Sequence, residues 1–292
     1  MSASARMPED QAAGLRRRFA APTLRILPVI ANPALAWGGL LLERLAGAAA
    51  LLDRRTLVVD AGLHAREPGE LARFDLAEAI EPLDRHLAYL AARGLPQQHV
   101  DAGGSTEAFL DALAEAAPEA ELILLHAPAA DLARLFGRAV RDGRAPLLRP
   151  LVLCDESGAA LTEAYAALKL LALRAGLRTH ELLLAAAPGS RLAPRIAASL
   201  ARCADGFLGG VQQHWMGIDP AEPPEQPPAP ALVQRLEALM ACAYAPPVGE
   251  ATRRRAEPQG RPVLAPLPAL AREAGPPPAP RAAPAARHHA MR

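Results

Sequence analysis

The chain has 292 residues, enough to bury one full core with residues to spare. It is 51% hydrophobic but only 3% aromatic, so alanine, leucine and valine have to build that core. A formal net charge of +1 argues against a nucleic-acid protein held by a strong basic field. Lys169 is the single lysine; arginine supplies the rest of the positive charge, with local runs at Arg16–Arg18 and Arg253–Arg255.

Cys154, Cys203 and Cys242 are odd in number and far apart. With no CxxC pair they suggest neither a disulfide framework nor a zinc site, and buried free thiols in a reducing compartment are the expectation. Met1 to Asp10 is polar and lacks the apolar stretch of a signal peptide. No apolar run reaches the roughly 18 residues expected of a membrane span. The expected location is the cytoplasm.

In chain order, Pro8 to Ala20 fits a short helix with Ala12, Leu15 and Phe19 on one apolar stripe and Gln11 and Arg16 on the exposed face. Alone in water such a helix is marginal; it reads either as a frayed helix packed on the domain, which the residues alone favour, or as a segment that orders on a partner. Leu24–Ile30 reads as a strand with an internal proline, Leu35–Leu52 as a helix, and Thr56–Asp60 as a buried strand. Ala77–Ala92 looks largely helical. After the Gly103-Gly104 turn, Thr106–Ala116 is helical, Leu122–His126 a strand and Ala130–Val140 a helix. Pro150–Cys154 is a strand, Ala159–Ala175 a long helix, Leu182–Ala186 a strand and Arg191–Ala204 a helix. Continuous apolar strands separated by helices predict a mostly parallel sheet covered on both faces, with ligands beyond the carboxyl ends of the strands.

Proline sets the boundaries. Asp219–Pro230 (DPAEPPEQPPAP) cannot hold a regular element. A single helix over about Ala231–Tyr244 follows, with Leu232, Leu236, Leu239, Met240 and Ala243 on one face and Arg235 as its only cation. The residues from Pro246 on are rich in Pro, Ala and Arg and read as disordered. The organisation expected is an N-terminal segment (1–22), an α/β domain (23–220), a Pro-rich linker (221–230), an amphipathic helix (231–245) and a tail (246–292).

The loop after the first strand, Ile30 to Ala46, lies where a phosphate-binding loop would be. Such a loop needs glycine N–H groups to cradle phosphates, a lysine for the β/γ-phosphates and a Ser/Thr hydroxyl for Mg²⁺. Here Gly38 and Gly39 are present, but lysine, serine and threonine are not. Lys169 sits far away in another helix. Asp60, followed by Ala61-Gly62, reads either as a surviving metal or water ligand or as a polar strand end, the second being favoured. His126 ends another strand where a carboxylate would be needed; imidazole is a poor Mg²⁺ ligand, and a hydrogen-bonded strand-end histidine is the simpler reading. The Gly103-Gly104-Ser105-Thr106 turn is either an anion nest or an ordinary turn with a Ser/Thr cap.

Three stretches together resemble the FlhG family, MinD-like ATPases that regulate flagellar number and placement. Asp10-Gln11-Ala12-Ala13-Gly14-Leu15-Arg16 matches the family's DQAxxLR signature, ahead of the first strand. Leu161–Leu170 (LTEAYAALKL) resembles its LTDAYALIK helix, with Asp155-Glu156 in place of a Pro-Glu pair. Cys203–Gly209 resembles its RFLG segment, leading to a strand and a GxIPxD-like end at Met216–Pro220; the Gly103–Thr106 turn resembles its GGSG loop. The likeness runs from Asp10 to about Pro220. It implies a three-layer, P-loop NTPase-like (MinD/ParA-type) α/β fold.

The departures are as informative. Laid on the family's KGGVGKS/T loop, the signature lysine falls on Pro33, the phosphate lysine on Gly38 and the Mg²⁺ hydroxyl on Gly39. The DxD after the second strand becomes Asp60-Ala61-Gly62, and the Walker B aspartate becomes His126. The adenine-reading Asn has no counterpart in Leu182–Ala186. Neither ATP nor Mg²⁺ is therefore expected as a cofactor, no residue is assigned a catalytic role, and no metal site is expected.

The resemblance also implies a partner, an FlhF-like SRP-type GTPase, which the family's N-terminal segment engages. A glutamine can orient an attacking water and an arginine can offset phosphate charge, so Asp10, Gln11, Ala12, Leu15 and Arg16 are the expected partner-binding residues. Flagellar basal-body or regulatory proteins are further partner expectations. Nucleic acid is not one. The second helix reads more readily as packing on the domain's own surface or on a partner; membrane contact through it is expected to be weak, at a pole or at the inner-membrane periphery. Two other readings stand beside this one: an ATPase with a site rebuilt from Asp60 and an arginine, and a scaffold for another polar or envelope machine.

Overall fold

The computed structural model describes residues 23–247. Eight strands form one sheet in the order β3-β4-β2-β5-β1-β6-β7-β8. They are β1 (Arg25–Ile30), β2 (Thr56–Asp60), β3 (Glu81–Pro82), β4 (Leu87–Ala91), β5 (Leu122–Ala127), β6 (Leu151–Asp155), β7 (Thr179–Ala185) and β8 (Val211–Ile218). The short β3 runs antiparallel to β4; every other pair is parallel. The helices are α1 (Gly38–Leu51), α2 (Ala108–Ala116), α3 (Ala129–Arg141), α4 (Gly158–Ala175), α5 (Ala193–Leu208) and α6 (Pro230–Cys242).

The apolar strand runs exist because the central strands are buried on both faces. Alternate residues of each strand go to opposite layers. Ile26, Ile30, Leu57, Val59, Ile123, Leu125, Val152 and Leu184 pack with α2, α3, α4 and α5. Leu27, Val29, Val58, Leu124, Leu153 and Leu183 pack on the other face with α1 and α6. The architecture is three-layer α/β, a mostly parallel sheet with helices on both faces.

The helical reading of Ala77–Ala92 is corrected. Only Ala77–Ala79 makes a 3-10 turn; the chain then forms β3 and the partly exposed β4. Pro82 and an Asp84 turn prevent a helix. The Asp84 carboxylate accepts the N–H groups of His86 and Leu87 and reverses the chain.

Residues 221–245, the Pro-rich linker and the amphipathic helix, pack on the sheet domain. Arg44 of α1 is buried and donates to the carbonyls of Gln226, Glu222 and Pro223 at 2.6, 2.8 and 2.7 Å. A Cβ on Gly47 would meet Pro228 Cγ at 3.1 Å, so glycine lets the Pro-rich segment approach α1. Leu232, Leu236 and Leu239 of α6 are buried among α1 and the sheet. Arg235 reaches the buried Glu181 carboxylate at 3.9 Å. Beyond α6, Tyr244 exchanges both backbone hydrogen bonds with Ile26, filling the β1 ladder below the point where β6 begins. The apolar face of α6 is thus committed to the domain. Among the described residues no helix is long and apolar enough to cross a membrane.

The strand order fixes where a ligand could sit. The chain leaves β1 for β2 in one direction and β5 for β6 in the other, with α1 on one face and α3 on the opposite one. The order reverses at β1/β5, and open sheets of this kind take ligands beyond the carboxyl ends at that point.

Replacing Arg44 by Met removes three charge-assisted hydrogen bonds and leaves the Glu222 and Gln226 carbonyls without their partner, while Pro223 O keeps the Gln226 N–H. The expected cost is on the order of 3 kcal/mol, read as a lower urea midpoint. An unchanged midpoint would show that the Pro-rich segment is not held by this side chain.

Candidate functional site

A cleft of about 720 Å³ opens at the carboxyl ends of β1, β2 and β5, the switch point of the sheet. Pro33, Gly38, Gly39, Asp60, Gly62 and His126, all singled out from the sequence, line this one cleft. Residues 10–16 lie outside the described residues.

The loop after β1 is held by the protein itself. Asn32 is buried; its Nδ2 donates to Leu153 O of β6 at 3.0 Å and to Ala160 O of α4 at 2.9 Å. Its Oδ1 accepts Ala34 N–H at 3.1 Å, and its carbonyl accepts Leu35 N–H at 3.1 Å. All four of these groups are thereby paired within the chain. Among the described residues, none from 31 to 39 has a left-handed backbone, so the loop lacks the alternating turn that folds successive N–H groups into an anion nest. Nor do Gly38 and Gly39 serve a close approach. A Cβ on Gly38 would meet only Leu35 Cδ2, at 3.9 Å, and one on Gly39 nothing within 4 Å.

Asp60 and His126 face each other in register across β2 and β5. His126 Nδ1 lies 2.8 Å from Asp60 Oδ1. The same oxygen accepts Gly62 N–H at 3.0 Å, and the Tyr89 hydroxyl reaches Oδ2 at 3.5 Å. Burial pushes the Asp60 carboxyl up, but the hydrogen bond and charge of His126, the Gly62 N–H and the Tyr89 hydroxyl outweigh it and hold it below the ordinary range. The carboxylate therefore stays ionised and holds a proton on Nδ1, the imidazole nitrogen that faces it. Gly62 is glycine for this pair. A Cβ there would meet His126 Cε1 at 3.0 Å and Asp60 Oδ1 at 3.1 Å.

Arginine, lysine, serine and threonine are absent from the described cleft lining. Lys169 is exposed on α4 and does not line it. His64 joins the rim, its Nε2 at 3.1 Å from Pro33 O. Among the described residues no group of three or more His, Cys, Asp and Glu side chains could hold a metal ion. The Gly103–Thr106 turn offers little to an anion: the Asp101 carboxylate already takes the N–H groups of Gly103 and Ser105, both at 2.9 Å, and Arg138 pairs with it at 2.7 Å.

Sequence reasoning named Asp60 and His126 singly and did not join them, because strand adjacency is a property of the fold. It passed over Asn32, whose partners lie 121 and 128 residues away. The only local signal was an amide side chain closing an apolar strand, a residue able to bond neighbouring backbone.

No protein-family model matches the chain, and no curated protein does. Solved structures similar to it include the MinD cell division protein of Aquifex aeolicus, at 14% identity and a TM-score of 0.46, covering 74% of this chain and 97% of that one. A putative plasmid partition protein of Borrelia burgdorferi bound to AMPPNP is similar at 9% identity and a TM-score of 0.47, covering 75% and 98%. A plasmid partition protein from Borrelia burgdorferi is similar at 11% identity and 0.45, covering 75% and 97%.

Two outcomes follow from this geometry. Gly39→Ala should leave stability unchanged or raise it by up to about 1 kcal/mol, because alanine favours helix and meets no neighbour, whereas Gly62→Ala should lower it by displacing His126; thermal unfolding separates the two. Asp60→Asn should cost about 1 kcal/mol at pH 7 through the lost charge on the hydrogen bond. A carboxyl held low in the fold contributes stability above its unfolded pKa near ~4 and loses it as pH falls through the folded value. The gap between wild type and variant should close in acid; a pH-independent gap would contradict the assignment.

Proposed function

We propose that this chain is an FlhG-like regulator of flagellar number and placement that acts through partner binding, without ATP chemistry of its own. The observation that carries the second half is the cleft at the β1/β5 switch point. Among its described lining residues there is no lysine, arginine, serine or threonine where phosphates and Mg²⁺ would be held, and its loop is tied to the protein through Asn32. Phosphoryl transfer is catalysed almost wholly by positioned charge, and each missing charged contact removes a few kcal/mol.

The alternative of an ATPase rebuilt around Asp60 and an arginine finds little support. The Asp60 carboxylate is engaged by His126, Gly62 and Tyr89, and the described cleft lining contains no arginine. The proposed activity instead rests on Asp10–Arg16, the DQAxxLR-like segment, with an FlhF-like SRP-type GTPase as partner. Gln11 and Arg16 are the residues proposed to act on its GTP site.

The test is GTP hydrolysis by the cognate GTPase with this protein, without it, and with a Gln11→Ala, Arg16→Ala double variant, alongside Mg-ATP titration by calorimetry. Stimulation that the double variant loses, with no heat of ATP binding, is the expected result. Absence of both stimulation and binding to the GTPase would overturn the flagellar reading and favour a scaffold for another machine.

A further inference from the structure

A second cavity, of about 340 Å³, opens at the amino ends of β2 and β4, beside the Ala77–Ala79 turn and the end of α2. Buried Leu57 lines it together with Ile80, Pro82, Ala88, Ala117 and Ala120, so it is apolar and has room for an aromatic side chain.

The chain enters the domain next to this cavity. Arg25 N–H bonds the Glu121 carbonyl at 2.9 Å, and Glu121 N–H bonds the Arg55 carbonyl at 2.8 Å. Arg55, Glu119 and Ala120 all line the cavity. Leu24 packs on the same face of the sheet as Ile80, Ala88, Ala117 and Ala120. Residues 1–22 are therefore tethered at its rim. Phe19 lies four residues before Thr23, within about 14 Å of it even along an extended chain.

Charge points the same way. Glu107, Asp111, Glu115 and Glu119 follow at intervals of four, which places them on one side of α2 and its extension past Ala116. Glu107 pairs with Arg144 and Glu119 with Arg55, but among the described residues Asp111 and Glu115 form no ion pair. Burial and the charges of Glu107 and Glu115 push the Asp111 carboxyl above its ordinary range, despite Arg144. This acidic strip ends at the cavity. The N-terminal segment carries the complement, Arg16-Arg17-Arg18, between Leu15 and Phe19. In a helix Leu15 and Phe19 share one stripe, and Arg16 and Arg18 flank it.

We propose that the segment 8–20 docks on its own domain, with Phe19 in this cavity and its arginines against Asp111 and Glu115 of α2. The docked segment uses the same apolar stripe that a partner would need. Self-docking and engagement of a GTPase then exclude each other, a consequence that rests on the function proposed above.

The experiment follows backbone amide hydrogen exchange of residues 12–20 in the full chain, with a synthetic peptide of residues 1–22 as the undocked reference. Exchange in the full chain should be slower by about tenfold or more. Phe19→Ala, and separately the exposed pair Asp111→Asn with Glu115→Gln, should each bring it toward the peptide's rate. None of these side chains belongs to the buried core of the described domain. Peptide-like exchange in the wild-type chain overturns the proposal, as does protection that survives either change. Protection that disappears on dilution overturns it too, because a second copy would then be the docking surface. A GTPase that is not stimulated removes the competition and leaves the docking standing; peptide-like exchange removes the docking and leaves the GTPase reading standing.

Discussion

The loop between β1 and α1 has to be held at the open end of a parallel sheet, and in this chain one buried amide holds it. Strand β1 lies between β5 and β6, so its carboxyl end delivers the chain into the switch-point crevice. A bare loop there would leave backbone groups without partners at a cost of about 1–3 kcal/mol each. Asn32 binds the carbonyls of Leu153 and Ala160 while its own oxygen and carbonyl satisfy Ala34 and Leu35. The loop, the start of α1 and the ends of β6 and α4 become one body. Because α1 is fixed in this way, Arg44 and Gly47 on it can seat the Pro-rich segment and then α6. The layer on that side of the sheet depends on the same anchor.

The second consequence is electrostatic. In the proposed reading, a site for nucleotide and Mg²⁺ has become one closed on itself: Asp60 finds its partner in His126 across the β2/β5 register, not in a metal ion. The pair is largely shielded, with side-chain exposures of 18% and 12%, and the carboxylate is hydrogen-bonded, the condition under which a buried charge is tolerated. Gly62, two residues beyond Asp60, is needed to make room for the imidazole. At Gly38 and Gly39, by contrast, nothing in their space or backbone requires glycine.

Much of the fold was legible because the core strands are covered on both faces. TLVVD, LILLH and PLVLC read as buried strands by their unbroken apolar runs, and the intervening helices by their periodicity. The failure at Ala77–Ala92 has a physical cause. β4 is only half buried and rich in Ala and Leu, so its pattern mimics a helix, and the decisive cues were Pro82 and the Asp84 turn. The site was legible as residue types and not as contacts. Arg44 and its carbonyl acceptors are 178 to 182 residues apart, and no local pattern marks an arginine that will be buried by a proline segment. Likewise Tyr244 completes the β1 ladder from beyond a stretch that reads as a tether.

The central claim is that the β1–α1 loop is ordered by the protein and needs no ligand. Amide hydrogen exchange of Ala34 and Leu35 in the nucleotide-free protein tests it most directly, since both N–H groups are bonded to Asn32. The account predicts slow exchange that Mg-ATP does not alter and that Asn32→Ala accelerates. Fast exchange that slows on addition of Mg-ATP would contradict it, because the loop would then be a phosphate-binding loop waiting for its ligand.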